Sequence, residues 1–434
     1  MKKFLLITYY WPPCGGVPVQ RWLKLTKYFP LNNWLPTVLT TQDGDYPYID
    51  ETLLNEVSKD INVVRTKTLK YSEMFKSVLG KDEKIPYGSL KTSKEDTILK
   101  KIAYFTRVQF VSPDARIIWN GQAYKAAEKL LMSGMYESVI TTGPPHSTHL
   151  IGLKLKNKYD INWIADFRDP WSKIHYHENE KRNLFIKSID KQIEANVLSK
   201  ANAVVTVSKR VSETLGQGKK IVIPNAFDPD DFVMHQYKKT DKFRIKFVGA
   251  LFEDRKHLLL MILDWIEEYA SKKGIDNIEF SLIGAFDRVP ESILRRVEHI
   301  KFQNIPFIQH QNVIAECVNS ELLLLVILDT KNNEGILTYK LFEYIGAKSF
   351  ILGIGPAVSD AREIINQTGA GTLHHYKEKK DFLQSLDTLY NKWQKGENIK
   401  NEKDVRDYSV PTICKRYSDL LNAICGIGTQ ASCL

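Results

Sequence analysis

Short apolar runs alternate with helical stretches along nearly the whole chain, in two successive series. In the first series, strands are expected at Phe4 to Thr8, Thr37 to Thr40, Ile61 to Val64, Ser138 to Thr142, Trp163 to Asp166, Ala203 to Ser208 and Val222 to Pro224. Helices are expected near Val19 to Phe29 and Trp119 to Leu131. A second series starts at Phe243, with strands at Ile245 to Gly249, Ile278 to Gly284, Phe307 to Gln309, Leu322 to Leu328 and Phe350 to Leu352. Helices are expected there at about Lys256 to Lys273, near Glu291 to His299, and from Thr338 to Gly346. Short strands alternating with helices form βαβ units and a mostly parallel sheet. Two such series joined near Asn225 to Lys242 predict an α/β fold of two Rossmann-like domains facing a central cleft. A chain of 434 residues also fits two cores of roughly 200 residues each better than one. The last predicted helix, Val410 to Ile424, comes after the second series is complete.

Composition removes several alternatives. No apolar run approaches the ~20 residues needed to cross a bilayer; the longest, Leu322 to Leu328, suits a buried strand. The start, MKKFLLITYYW, has the lysines and apolar run of a leader peptide. It passes straight into Pro12-Pro13-Cys14-Gly15-Gly16, so a first strand entering a tight loop is expected. Five scattered cysteines, Cys14, Cys317, Cys414, Cys425 and Cys433, form no CxxC pair and no metal-ligand spacing. That pattern points to a reducing compartment, hence the cytoplasm, and to no metal. The net charge of +10 allows an anionic partner. Between Arg65 and Arg107, eleven Lys/Arg stand against five Asp/Glu, with Tyr71, Phe75, Tyr87, Tyr104 and Phe105 among them. The segment reads either as a solvated face or as a patch for an anionic membrane surface. No zinc-finger spacing or RNA-binding aromatic signature supports nucleic acid as a partner.

Ligands of open α/β sheets sit at the carboxyl ends of strands, so the residues just after each strand carry the functional expectations. After the first strand, Gly15 and Gly16 permit close backbone approach at a helix start, although neither GxGxxG nor a Walker loop is present. Arg21 follows, pointing to the cleft or capping the surface. After Ser138 to Thr142, GPPHSTH offers His146 and His149, for a sugar hydroxyl or as structural caps. After Trp163 comes DFRDPW, where Asp166 and Asp169 flank Arg168. Dense charge at a strand end suits a polyol, and paired carboxylates leave glycoside hydrolysis open. After Ile245, Gly249 with Arg255, Lys256 and His257 suits a diphosphate or an ordinary helix start. In TYKLFEYIGAKSFILGIGP, Thr338 to Pro356, Lys340, Glu343 and Tyr344 share a helix face beside a buried strand. That arrangement fits a group with hydroxyls and phosphates, or a surface ion pair.

In order and spacing, these pieces resemble a retaining glycosyltransferase of the family-4 type with the GT-B fold. The resemblance spans nearly the whole chain: the PPxxGG loop, Gly143 to His146, DFRDPW, ANAVVTVS at Ala201 to Ser208, IPNAFD at Ile223 to Asp228, Val248-Gly249 and KLFEY. It implies an acceptor-binding domain over 1–225 and a nucleotide-sugar domain over 226–408. A terminal segment, 409–434, would cross back to the first domain. Glu343 would accept the ribose hydroxyls, with Lys340 orienting it. Arg255 and Lys256 would neutralise the diphosphate, and N–H groups around Gly335 to Thr338 would add an anion site. Asp169, His146, Asp166 and Arg168 are the catalytic candidates. Gly249, Glu334, Gly15 and Gly16 complete the donor-binding set. Three features depart from the family pattern. Glu334 and Glu343 are nine apart rather than eight, which opens the donor-sugar role to Asn333 or Asp329. Asn225-Ala226 stands where Asn-Gly is usual. The basic residues after Gly249 are not in the commonest arrangement. The expected function is metal-independent, cofactor-free transfer of a sugar, with retention, to a polysaccharide or lipid-linked acceptor in surface polysaccharide synthesis, at or near the inner face of the membrane. The alternatives are a sugar-nucleotide epimerase of the same fold and a non-catalytic sugar-binding protein.

Overall fold

The thirteen strands among the described residues all pair in parallel, in two separate sheets. The computed structural model describes residues 1–69, 112–173, 183–249, 253–284 and 291–426. Most of the basic segment 65–107, including Lys91, Lys94, Lys100 and Lys101, lies outside the described residues, as does Cys433. The chain divides into two compact units: unit 1 is Met1–Pro224 with Ile413–Leu434, and unit 2 is Asn225–Thr412.

Unit 1 holds a seven-stranded sheet in the order β3-β2-β1-β4-β5-β6-β7. Its strands are β1 (Lys2–Ile7), β2 (Trp34–Thr41), β3 (Asn62–Thr66), β4 (Ser138–Gly143), β5 (Trp163–Phe167), β6 (Ala203–Thr206) and β7 (Lys220–Val222). The apolar start Phe4-Leu5-Leu6-Ile7 is fully buried at the sheet centre, between β2 and β4. A strand covered on both faces needs a continuous apolar run rather than an alternating one. Unit 2 repeats the order with six strands, β10-β9-β8-β11-β12-β13. These are β8 (Phe243–Val248), β9 (Ile278–Ile283), β10 (Lys301–Ile305), β11 (Leu322–Val326), β12 (Phe350–Gly355) and β13 (Gly371–His375). In both sheets the first strand lies between the second and the fourth. The direction of winding therefore reverses beside β1 in one unit and beside β8 in the other. A ligand-binding crevice forms at the carboxyl ends of such switch points.

Unit 2 also corrects two expectations. The third strand is Lys301–Ile305, not Phe307 to Gln309, and the helix near Glu291 to His299 spans only Glu291–Leu294. A final strand, β13, was not anticipated. β10 and β13 are the two edges of this sheet. An edge strand has one unpaired side and less burial, so KFQNI and GTLHH carry no long apolar run to reveal them. No helix among the described residues is long and apolar enough to cross a membrane.

Candidate functional site

Unit 2 brings the end of β8 and the KLFEY helix together through one tyrosine. The helix Tyr339–Ala347 buries Leu341, Phe342, Tyr344 and Ile345 and stops at Lys348, whose φ of 58° is left-handed. Tyr344, 1% exposed, accepts a hydrogen bond at its hydroxyl from the Val248 N–H, 3.2 Å away. Gly249 follows with φ 127°, a conformation L side chains rarely adopt, and a Cβ there would meet nothing within 4 Å.

Glu343, 4% exposed, is the buried carboxylate of this region. Its Oε1 lies 3.0 Å from His310 Nε2, and its Oε2 lies 2.5 Å from Lys340 Nζ. Burial alone would raise its pKa, but Lys340 and the His310 hydrogen bond outweigh that and hold it near 2. A carboxylate has about four lone-pair positions, so it can accept from a ligand as well. His310 opens the helix His310–Val318 and was not singled out from sequence, where nothing links it to Glu343, 33 positions away.

Thr338, at the start of the KLFEY helix, and Arg255, whose charge is coupled to Tyr344, each have an unmet polar group. Thr338 occupies the N-cap position but makes no capping bond, and its hydroxyl is buried without a partner. Arg255, half-buried, has a buried Nε with no acceptor. Desolvation lowers its pKa, opposed by Tyr344. A desolvated guanidinium and an uncapped helix N-terminus each attract an anion. Lys256 is also half-buried. Glu334 is exposed, in the 3₁₀ turn Asn333–Gly335. Asn333 instead donates to the Leu328 carbonyl and the Tyr376 hydroxyl, at 2.8 and 3.1 Å, holding the loop after β11.

Unit 1 distributes its candidates differently. Asp166, fully buried, accepts from Trp22 Nε1, Thr142 Oγ1 and the Tyr417 hydroxyl, each at 2.8 Å, and pairs with Arg21 at 3.4 Å. Arg21 also donates to the Ile223 and Pro224 carbonyls and to the Tyr417 hydroxyl. Arg168 donates from Nε, Nη1 and Nη2 to the carbonyls of Gly143, Pro18 and Pro144 at 3.2, 2.6 and 2.7 Å. Asp166 and Arg168 are thus engaged by the protein itself, where sequence reasoning placed substrate contact. Arg21 is buried too, so it does not cap the surface.

His146 stacks on Trp171 with ring centroids 5.2 Å apart, and its Nε2 lies 3.2 Å from the Pro170 carbonyl. Asp169, half-buried, immediately precedes Pro170 in sequence. His149, fully buried, stacks on Phe167. Trp163 Nε1 donates to Thr141 Oγ1, and that oxygen lies 2.9 Å from His149 Nδ1. Burial and then the Arg168 charge lower its pKa to about 3, so the ring is neutral. Gly15 and Gly16 receive the ring of Tyr48: a Cβ on Gly15 would lie 2.3 Å from it. The close approach these glycines permit is therefore made by an aromatic side chain of the same unit.

No protein-family profile matches the chain, and no curated protein matches it in sequence. Solved structures do match over almost its full length. Sucrose-phosphate synthase from Thermosynechococcus elongatus is 10% identical, with 98% of this chain and 96% of that chain covered and a TM-score of 0.57. The chain has the GT-B fold. A mutant of S. aureus TarM, in complex with fondaparinux, alpha-GlcNAc-glycerol and UDP, is 12% identical over 97% of this chain and 100% of that one, with a TM-score of 0.58. A Listeria monocytogenes protein assigned as a UDP-N-acetylglucosamine 2-epimerase is 12% identical over 98% and 96%, with a TM-score of 0.54.

Proposed function

We propose that the chain is a glycosyltransferase that takes its sugar from a nucleotide-diphosphate donor. The observation that carries this reading is Glu343: a buried carboxylate kept ionised by Lys340 and His310, on a helix tied by Tyr344 to the end of β8. An ionised buried carboxylate accepts the two hydroxyls of a ribose. Arg255, with its unmet Nε, and the start of the Tyr339–Ala347 helix, with its unmet Thr338 hydroxyl, suit the diphosphate. Lys256, Gly335 and the open backbone at Gly249 belong to the same proposed donor site, and unit 2 is its home. The likeness in fold to a protein solved with UDP agrees with this assignment.

In unit 1, His146 and Asp169 are proposed to meet the substrate, with Asp166 and Arg168 as positioning residues. Arg168 holds the carbonyls of Gly143 and Pro144, immediately before His146. Gly15 and Gly16 are proposed to shape the first-strand loop. Departure of the nucleoside diphosphate is aided by Arg255 and Lys256 without a metal or cofactor, and the sugar is passed on with retention. The acceptor is proposed to be a polysaccharide or lipid-linked oligosaccharide of surface polysaccharide synthesis. The basic composition of 65–107 supports attachment to anionic lipid at the cytoplasmic face.

Isothermal titration with UDP and other nucleoside diphosphates, followed by assays of donor hydrolysis with a panel of nucleotide sugars, tests the reading. Binding of a nucleoside diphosphate, and its release from a matching sugar donor, are expected. An epimerase would convert the donor and keep sugar and nucleotide joined. A non-catalytic protein would bind and release nothing.

A further inference from the structure

Unit 1 carries a second unmet cation that the donor site does not use. Arg116 lies in the 3₁₀ turn Ala115–Trp119, which leads into the helix Asn120–Leu131 and then to β4. Its backbone N–H donates to Asp114 Oδ1 at 3.0 Å. Asp114 also accepts from the Ser147 hydroxyl on Oδ1 and from the Ser147 N–H on Oδ2, at 2.8 and 2.9 Å. The neighbouring carboxylate is thus occupied in joining two loops at the carboxyl end of the sheet. The Arg116 guanidinium makes no ion pair or hydrogen bond with the described residues, and its Nε is buried without an acceptor. Its charge acts on Tyr10, Tyr9 and Cys14, all just past the end of β1, where winding of the sheet reverses, and also on the carboxylates of Asp114 and Asp45. Trp11, in that same loop and fully buried, has an indole N–H that is also without an acceptor. Both unmet groups are N–H donors. A buried donor left unmet is costly, so two at one ligand-binding strand end point to a missing acceptor. The planar guanidinium fork matches an oxyanion, phosphate or carboxylate, in two-point contact.

We propose that unit 1 is an oxyanion-binding unit in which Arg116 receives the phosphate or carboxylate of an anionic acceptor. The inference rests on the glycosyltransferase reading for the word acceptor, and on Arg116 alone for the site. Titration calorimetry with inorganic phosphate, glucose 6-phosphate, glucuronate and glucose tests it, on wild type, Arg116→Gln and Arg116→Lys. At least one anionic probe is expected to bind, and Arg116→Gln to weaken it by about tenfold or more, with Arg116→Lys in between. Glucose is expected to bind more weakly than its charged counterparts. Preference for glucose 6-phosphate identifies a phosphate site, and preference for glucuronate a carboxylate site. Binding of no anionic probe, or binding unaltered in Arg116→Gln, overturns the proposal. UDP affinity, measured on the same samples, is expected to be the same in all three proteins. If wild type fails to bind any nucleoside diphosphate while anion binding still depends on Arg116, the donor reading falls and the oxyanion site stands.

Discussion

At the scale of single residues, two buried carboxylates of the same chain have opposite occupations. Glu343 is ionised by two cationic or imidazole neighbours on one helix face and its approach, with lone pairs to spare. Asp166 has three donors at 2.8 Å and an arginine, all from its own unit. Their variants should therefore fail differently. Glu343→Gln is expected to lower the melting temperature of unit 2, because the charge paired with Lys340 and His310 is lost, and to reduce nucleoside diphosphate affinity roughly 10- to 100-fold, the loss of a charged hydrogen bond of about 1–3 kcal/mol. Calorimetric titration reads this directly. Asp166→Ala should leave nucleotide affinity intact and destabilise unit 1 by about 3–5 kcal/mol, because it strands the buried Arg21 charge. Differential scanning calorimetry, which resolves the two units, is the check. Sequence reasoning could not separate these two residues. Both are acids next to apolar strands, and only the long-range donors Tyr417 and Trp22 reveal that Asp166 is saturated.

At the scale of elements, legibility followed burial. The central strands β1, β4, β8 and β11 announce themselves as apolar runs, since both faces of a parallel sheet are covered. The edges β10 and β13 do not, and His310 was missed because only the folded chain brings it to Glu343. Glu343 and Lys340 were legible as an i,i+3 pair. Arg116 was not, because it sits in a short turn with no strand directly before it. The contact between β8 and the KLFEY helix was partly legible: the tyrosine was evident, but its bond to a residue 96 positions away was not. Tyr344→Phe isolates that bond. It is expected to keep the ring packed and to cost unit 2 about 1–3 kcal/mol by leaving the Val248 N–H unmet. It should also weaken nucleotide binding, because the Gly249 backbone would no longer be tethered. A variant that lost stability without losing affinity would show that the tether does not shape the site.

At the scale of the whole molecule, pH should act on the two units in sequence. His149 has a folded pKa of about 3 against an ordinary 6.5. The unfolded chain takes up that proton first, so its contribution to unit 1 is complete above pH 6.5. It is lost by about 1.4 kcal/mol per unit as pH falls toward 3. Glu343 has a folded pKa of about 2 against 4.5, so its contribution to unit 2 begins to fall only below pH 4.5. Between pH 6.5 and 5 the melting transition of unit 1 is expected to move down relative to that of unit 2, and His149→Gln should flatten the shift. Calorimetric scans at pH 7.5, 6 and 5 measure both. The hydroxyl of Tyr417 has one further consequence, for the order of events during synthesis. It completes the Arg21–Asp166 cluster from a position 251 residues beyond Asp166. Unit 2 is made in between, which takes roughly 10–40 s at ~5–20 residues per second. Through that interval the nascent first unit waits with Asp166 and Arg21 short of a partner, so it matures only after Tyr417 has been made.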